Sequence, residues 1–221
     1  MNRLAQLDHQ YVWHPFTQMQ DWLRTEPIVL VEGKGAVLRD VKGREYLDAN
    51  ASIWTNLHGH RNPRIDAAIR RQLARVAHTS ALGLASGPAA ELAERLVGLA
   101  RGPKGQPRLE KVFYSDDGST AVEAALKLAA EHTRRSGLVR KPRFLSVKGA
   151  YHGDTFGAMA LGERSLFTDP YEPLLFAVAR VAWPHSHWGD DAVEQREQVA
   201  LRQLEQALET PTAAVILEPL I

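Results

Sequence analysis

Hydrophobic and polar positions follow three successive regimes along this chain. Residues 1–26 mix aromatic and polar groups around Trp13, His14, Pro15 and Phe16 without a sustained period, which predicts a short helix and then an irregular segment. From Pro27 to Asp48, apolar runs at Ile28–Val31, Ala36–Leu38 and Tyr46–Leu47 are separated by Glu32–Gly35 and Asp40–Arg44. Gly and Asp in those separators supply turn geometry, so the segment reads as a small antiparallel meander.

After Asn62-Pro63 the period becomes helical. Ile65, Ile69, Leu73 and Val76 fall at i, i+4, i+8 and i+11, the single apolar face of an amphipathic helix. A second helix follows Gly87-Pro88, with Leu92, Leu96 and Leu99 inward. Beyond Glu110 the two patterns alternate: Lys111–Tyr114 as strand, Thr120 to about Thr133 as helix, Arg143–Val147 as strand, roughly 191 to 208 as helix, and Ala213–Leu217 as strand. Such alternation predicts an α/β layer fold around a mostly parallel sheet. The last strand runs directly into Glu218-Pro219-Leu220-Ile221, where an α/β fold continues into a crossover helix. The chain is therefore expected to be the N-terminal part of a longer polypeptide.

Composition narrows the partners more than the fold. Twenty-seven Lys and Arg against 26 Asp and Glu leave a formal charge of +1, too weak a field to draw nucleic acid or a membrane surface. Arg64, Arg70, Arg71 and Arg75 then read as a solvated helix face. With no Cys, disulfides, thiolate metal sites and a Cys nucleophile are excluded, and a reducing cytoplasm is the expected compartment. No apolar run approaches the ~18 residues of a membrane span.

Two loops after strands carry the candidate chemistry. In Tyr114–Ala121 a strand-like run passes through Gly118, Ser119 and Thr120 into a helix. A helix start offers unpaired N–H groups, Gly118 lets an anion approach the backbone, and Ser119 and Thr120 add hydroxyls, which together make a phosphate cup. The competing reading is that Asp117 or Ser119 merely caps the helix. The second loop, Gly149–Thr155, offers Tyr151 to stack on a flat ring, and His152 with Asp154 as an acid/base or metal pair or as groups that tie the loop to itself. His58-Gly59-His60 lacks the companions of a metal site. Walker A, dinucleotide and serine-elbow patterns are absent.

The ordered set W-H-P-F-T-Q-M at 13–19, N-L-H-G-H at 56–60, D-D-G-S-T-A-V-E-A-A-L-K at 116–127, Y-H-G-D-T-F-G-A-M at 151–159 and Glu218-Pro219 resembles the class III pyridoxal-phosphate aminotransferases. Within that class, the first and fourth motifs are most similar to the 7,8-diaminopelargonic acid synthases of biotin biosynthesis. The resemblance implies a fold-type I protein. Residues 1–60 would contribute to a small α+β domain, and 61–221 would begin a three-layer, cofactor-binding large domain. It implies pyridoxal 5'-phosphate held by Gly118 and Ser119 under Tyr151, and a substrate pocket lined by Phe16, Ile53, Trp54 and Tyr151. It also implies small-molecule substrates and a homodimer with shared active sites.

The implied reaction moves an amino group to 8-amino-7-oxononanoate. The donor stays open between S-adenosylmethionine and lysine, because Phe16 and Ile53 stand where adenosylmethionine-using members carry Tyr and Trp. The family's Schiff-base Lys and its Asp partner for the pyridine nitrogen lie downstream of the Glu-Pro motif. None of Lys104, Lys111, Lys127, Lys141 and Lys148 matches that lysine, so the 221 residues alone are expected to be inactive. The alternatives are another class III aminotransferase acting on an ω-amino acid or a diamine, and a non-enzymatic remnant or binding module.

Overall fold

In the computed structural model, which describes residues 1–100, 102, 109–137 and 141–220, the chain falls into two compact units, Met1–Ala90 and Glu91–Ile221. Lys104 lies outside the described residues. The first unit opens with α1 (Arg3–Tyr11), whose Ala5 N–H donates to the Asn2 side chain, and α2 (Met19–Trp22). Strands β1 (Leu30–Lys34), β2 (Val37–Asp40) and β3 (Glu45–Leu47) then pair antiparallel in sequence order, as the meander reading expected. Gly35, at φ +57, confines the first turn to Gly35-Ala36. Glu32–Lys34, expected in that turn, therefore extend β1.

The second turn is organised by Asp40, only 2% exposed. Burial alone would raise its carboxyl. The Arg44 backbone and guanidinium, the Tyr46 hydroxyl and the Lys42 N–H all donate to it and hold it down at about 2. After the short α3 (Ala51–Trp54), α4 (Pro63–Leu73) starts where Asn62 accepts the Arg64 N–H and Pro63 occupies the first helical position. Next comes α5 (Gly87–Leu99). Both helices form, although α4 ends at Leu73, short of Val76 that the periodicity included, and their apolar stripes are not buried. Ile69, Leu73, Leu92 and Leu99 are all exposed, because no element among the described residues packs over them.

The second unit is built on a parallel sheet. Following α6 (Gly118–Arg135), strand β4 (Phe144–Val147) lies between β5 (Ala179–Val181) and β6 (Ala214–Val215), both parallel to it. All four residues of β4 are buried, as a central parallel strand requires. Leu145, Val147, Ala150 and Val181 form the core, with Trp183, Leu204 and Ala207 packed against it, the last two from α8 (Val193–Leu208). Arg143 closes the layer by donating to the Ala207 carbonyl at 2.9 Å and to the Thr212 hydroxyl at 2.7 Å. The six-residue α7 (Phe156–Leu161) is buried from Gly157 onward.

One strand expectation is corrected and one strand was not anticipated. Lys111–Tyr114 forms no strand and leaves Phe113 68% exposed. A strand needs a neighbour for its N–H and C=O groups, and none of the described strands lies alongside. Conversely, β5 carries Arg180 at its centre, which hides it from a search for apolar runs. Among the described residues no helix is long and apolar enough to cross a membrane.

Candidate functional site

The start of α6 in the second unit combines a tight cap with an open face. Asp117 accepts the Thr120 N–H at 2.7 Å, while the Thr120 hydroxyl accepts the Asp117 N–H at 3.0 Å, a reciprocal capping box. The Thr120 N–H, and after it the Thr120 hydroxyl, holds the Asp117 carboxyl below its ordinary value. Thr120 is thus spent on the cap, a correction to its expected place in the phosphate cup. The Gly118 N–H meets no acceptor among the described residues, and a Cβ built on Gly118 would have nothing within 4 Å. A helix-start N–H without an acceptor, on a residue with no side chain and open space where one would be, is what an anion needs.

Ser119 ties this helix start to the second loop. Its oxygen accepts the Thr155 N–H at 3.0 Å and lies 2.8 Å from the Thr155 hydroxyl. Thr155 in turn donates its hydroxyl to Glu123 at 2.6 Å, so in the Ser119–Thr155 contact Ser119 is the donor. The same Glu123 oxygen accepts the N–H groups of Gly157 at 2.7 Å and Ala158 at 3.2 Å, capping α7 from a neighbouring helix. The approach leaves no room for side chains: a Cβ on Gly153, at φ +123, would sit 2.6 Å from Ser119 Cβ.

Within the loop, the Tyr151 N–H donates to Glu218 at 2.8 Å, and the phenol donates to Asp154 at 2.8 Å. Partial burial and the Asp154 carboxylate push that phenol up to about 12, while the residue stays 60% exposed. His152 does not pair with Asp154. It faces Ser146 at 3.4 Å, and burial lowers its pKa against the opposing pull of Glu218. Of the two readings of this pair, the structure therefore favours groups that secure the loop.

In the first unit Phe16, Ile53 and Trp54 share a backbone feature. The non-glycine residues with positive φ, among those described, are Phe16, Ala51, Ser52, Ile53, Trp54 and Arg61. Ser52 and Ile53, at φ/ψ of 51/53° and 58/62°, lie in the left-handed helical region, and the whole of α3 has positive φ. That hand costs about 1–2 kcal/mol per residue with a Cβ, and a β-branched Ile there is an outlier. Asp48 answers the strain. Its carboxylate accepts the Ser52 N–H and hydroxyl, both at 2.8 Å, and meets His60 Nε2 at 2.9 Å. The Ser52 bonds, ahead of His60, hold its pKa down. His60 is fixed by Asn56 at 2.9 Å and by a paired backbone bridge to Gly35. Ile53 and Trp54 are left 64% and 77% exposed, and Phe16 77%.

The expected residues thus divide between the units: in the second, Ser119 ties the Gly118 helix start to the loop that carries Tyr151, while Phe16, Ile53 and Trp54 lie in the first. Sequence reasoning missed Glu123 and Asp48, and weighed His60 only as a metal ligand. Glu123 stands four residues after Ser119, on the same helix face, and that spacing was readable.

Comparison with known proteins identifies the family. Residues 19–221 match the aminotransferase class-III family. The adenosylmethionine-8-amino-7-oxononanoate aminotransferase of Nitratidesulfovibrio vulgaris is 47% identical over 226 residues, covering 99% of this chain and 41% of that protein. Its counterpart in Geobacter sulfurreducens is 41% identical over 224 residues, covering 99% and 48%. Among solved structures, the enzyme of that name from Methanocaldococcus jannaschii superposes with a TM-score of 0.83 at 36% identity, over 96% of this chain and 45% of that one. An omega transaminase from Pseudomonas jessenii, in complex with PMP, gives 0.86 at 26% identity, over 100% and 49%. The chain spans about half the length, or less, of these relatives. It belongs to the class-III aminotransferase family, with the fold-type I architecture of its structural neighbours.

Proposed function

We propose that the polypeptide carrying this chain transfers an amino group to 8-amino-7-oxononanoate, giving 7,8-diaminononanoate for biotin synthesis, with S-adenosylmethionine or lysine as donor. Support for the acceptor comes from relatives of that name, which match nearly the whole chain. The observation that carries the site is the junction of the α6 start with the Tyr151 loop through Ser119 and Thr155. Pyridoxal 5'-phosphate, the family's cofactor, fits what is there: a Gly118 N–H with no acceptor among the described residues and open space at its side-chain position for the phosphate, and an exposed aromatic ring for the pyridine. When bound, it supplies the electron sink that amino transfer requires.

The protein's own residues bind and orient. Gly118 and Ser119 hold the phosphate, Gly118 through its N–H and Ser119 by turning its hydroxyl proton from Thr155 to a phosphate oxygen while its oxygen keeps the Thr155 N–H. Tyr151 packs on the ring, kept in place by Asp154 and Glu218. Phe16, Ile53 and Trp54 line the substrate pocket with apolar surface suited to a long aliphatic chain. A homodimer with shared sites, a cytoplasmic location and a domain division near residue 60 belong to this proposal. The test is to incubate the full polypeptide with pyridoxal phosphate, 8-amino-7-oxononanoate and each donor in turn, and to follow product by mass. Formation of 7,8-diaminononanoate is expected with one donor. Turnover only of ω-amino acids or diamines would replace this reading with the one favoured by the omega-transaminase likeness.

A further inference from the structure

The Asp48 network is larger than a surface turn needs. Its side chain is only 6% exposed, yet its hydrogen bonds go to Ser52 and His60, which flank two side chains left in solvent. Each anchor is itself fixed. His60 exchanges backbone hydrogen bonds with Gly35 at 3.0 and 2.8 Å, and its ring packs where any Cβ on Gly33 would collide with it. Asp48 follows β3 and donates its N–H to the Ala36 carbonyl at 2.9 Å. The segment from 48 to 60 is therefore a loop closed at its base by the Asp48–His60 contact and seated on the meander. At its tip the backbone adopts a hand that Ala, Ser, Ile and Trp do not choose by themselves. Left-handed backbone held by a surrounding network marks a place where geometry serves recognition.

We infer that Asp48 is a positioning residue for the amino acceptor: it clamps the left-handed turn of α3 through Ser52 and His60 and so sets the direction in which Ile53 and Trp54 meet the substrate. The inference rests on the proposed role of Ile53 and Trp54 as pocket residues. It goes further in assigning selectivity to a carboxylate that never touches the substrate. Without the clamp, the turn relaxes towards ordinary backbone regions and the two side chains swing away, while the meander and the phosphate cup stay intact.

The test uses the full polypeptide loaded with pyridoxal phosphate. Asp48→Asn should raise KM for 8-amino-7-oxononanoate about tenfold, with kcat and the cofactor Kd changing by less than about threefold. Exchange of the Ser52 amide hydrogen should accelerate by at least about tenfold. Adding Ala51→Gly, which removes the cost of left-handed backbone at a residue outside the clamp, should bring KM back towards that of the unsubstituted enzyme. A merely structural Asp48 would lower kcat, cofactor affinity and KM discrimination together, and Ala51→Gly would not restore KM selectively; that pattern overturns the inference. If Asp48→Asn fails to fold, Ser52→Ala removes one of the three bonds and should raise KM about threefold, an unchanged KM counting against the clamp. Absence of turnover in the unsubstituted enzyme would defeat the functional reading alone. The Ser52 exchange rate still reports the clamp, and an unchanged rate in Asp48→Asn overturns it.

Discussion

Glu123 and Asp48 each collect three hydrogen bonds from a short turn, and the two turns have opposite hands. Glu123 takes the Thr155 hydroxyl and the N–H groups of Gly157 and Ala158. Asp48 takes the N–H and hydroxyl of Ser52 and meets His60. The turn capped by Glu123 is right-handed, buried from Gly157 to Leu161, and displays no side chain to solvent over that stretch. The turn held by Asp48 is left-handed, and its Ile53 and Trp54 side chains are mostly exposed. The same device therefore serves two ends. In the second unit it braces a frame that presents backbone N–H groups, while in the first it holds an unfavourable backbone so that side chains are presented.

The largest effect expected from breaking this comparison is at Glu123. Glu123→Ala leaves two N–H groups of a buried helix and one hydroxyl without acceptor, at about 1–3 kcal/mol each, so urea unfolding should show a loss of about 3 kcal/mol or more. A loss under about 1 kcal/mol would mean that water or backbone replaces the carboxylate, and that the bracing role is wrong. A smaller pair of substitutions sharpens the contrast, because one chemical change should have opposite signs. Ala51→Gly relieves left-handed backbone and should stabilise by about 1 kcal/mol. Ala158→Gly, in a right-handed helix where the side chain is 0% exposed, should destabilise by about 1 kcal/mol from backbone freedom alone. Equal signs in the two melts would show that α3 is not held against its preference.

What could be read from the sequence follows the range of the interactions. The cap of α6 is written locally, Asp117 and Thr120 being three residues apart, and the meander turns are marked by Gly35 and by Asp40 with its neighbours. Ser119 and Glu123 share a helix face at a spacing of four, so half of the second brace was visible too. Its other half was not, since Thr155 and Gly157 lie more than thirty residues downstream and nothing local pairs them with Glu123. The hand of α3 was hidden for a different reason. Ala51, Ser52, Ile53 and Trp54 carry no preference for positive φ, and the contact that imposes it closes over the twelve residues from Asp48 to His60. Lys111–Tyr114 failed in the opposite direction, because its composition is that of a strand but a strand exists only beside another. The proposed site residues came from ordered motifs, whereas the residues that hold them in place required coordinates.

The smallest stability effect is expected at the position where the functional effect is large. Gly118 begins α6 at an ordinary negative φ, and a Cβ there would meet no atom within 4 Å. Gly118→Val should therefore change unfolding free energy by less than about 0.5 kcal/mol, the scale of helix propensity differences at an uncrowded position. In the open space at the Gly118 side-chain position, however, a branched side chain would stand beside the N–H and crowd a phosphate oxygen that approaches the backbone. The dissociation constant for pyridoxal phosphate, followed by its absorbance during titration of the full polypeptide, should rise at least about tenfold, or about 1.4 kcal/mol of binding. Unchanged affinity would remove the phosphate cup from α6. A large loss of stability would show instead that Gly118 belongs to the brace with Glu123 and does not present its N–H to a ligand. Only weakened cofactor binding in a normally stable protein keeps the helix start as the binding surface and Glu123 as its support.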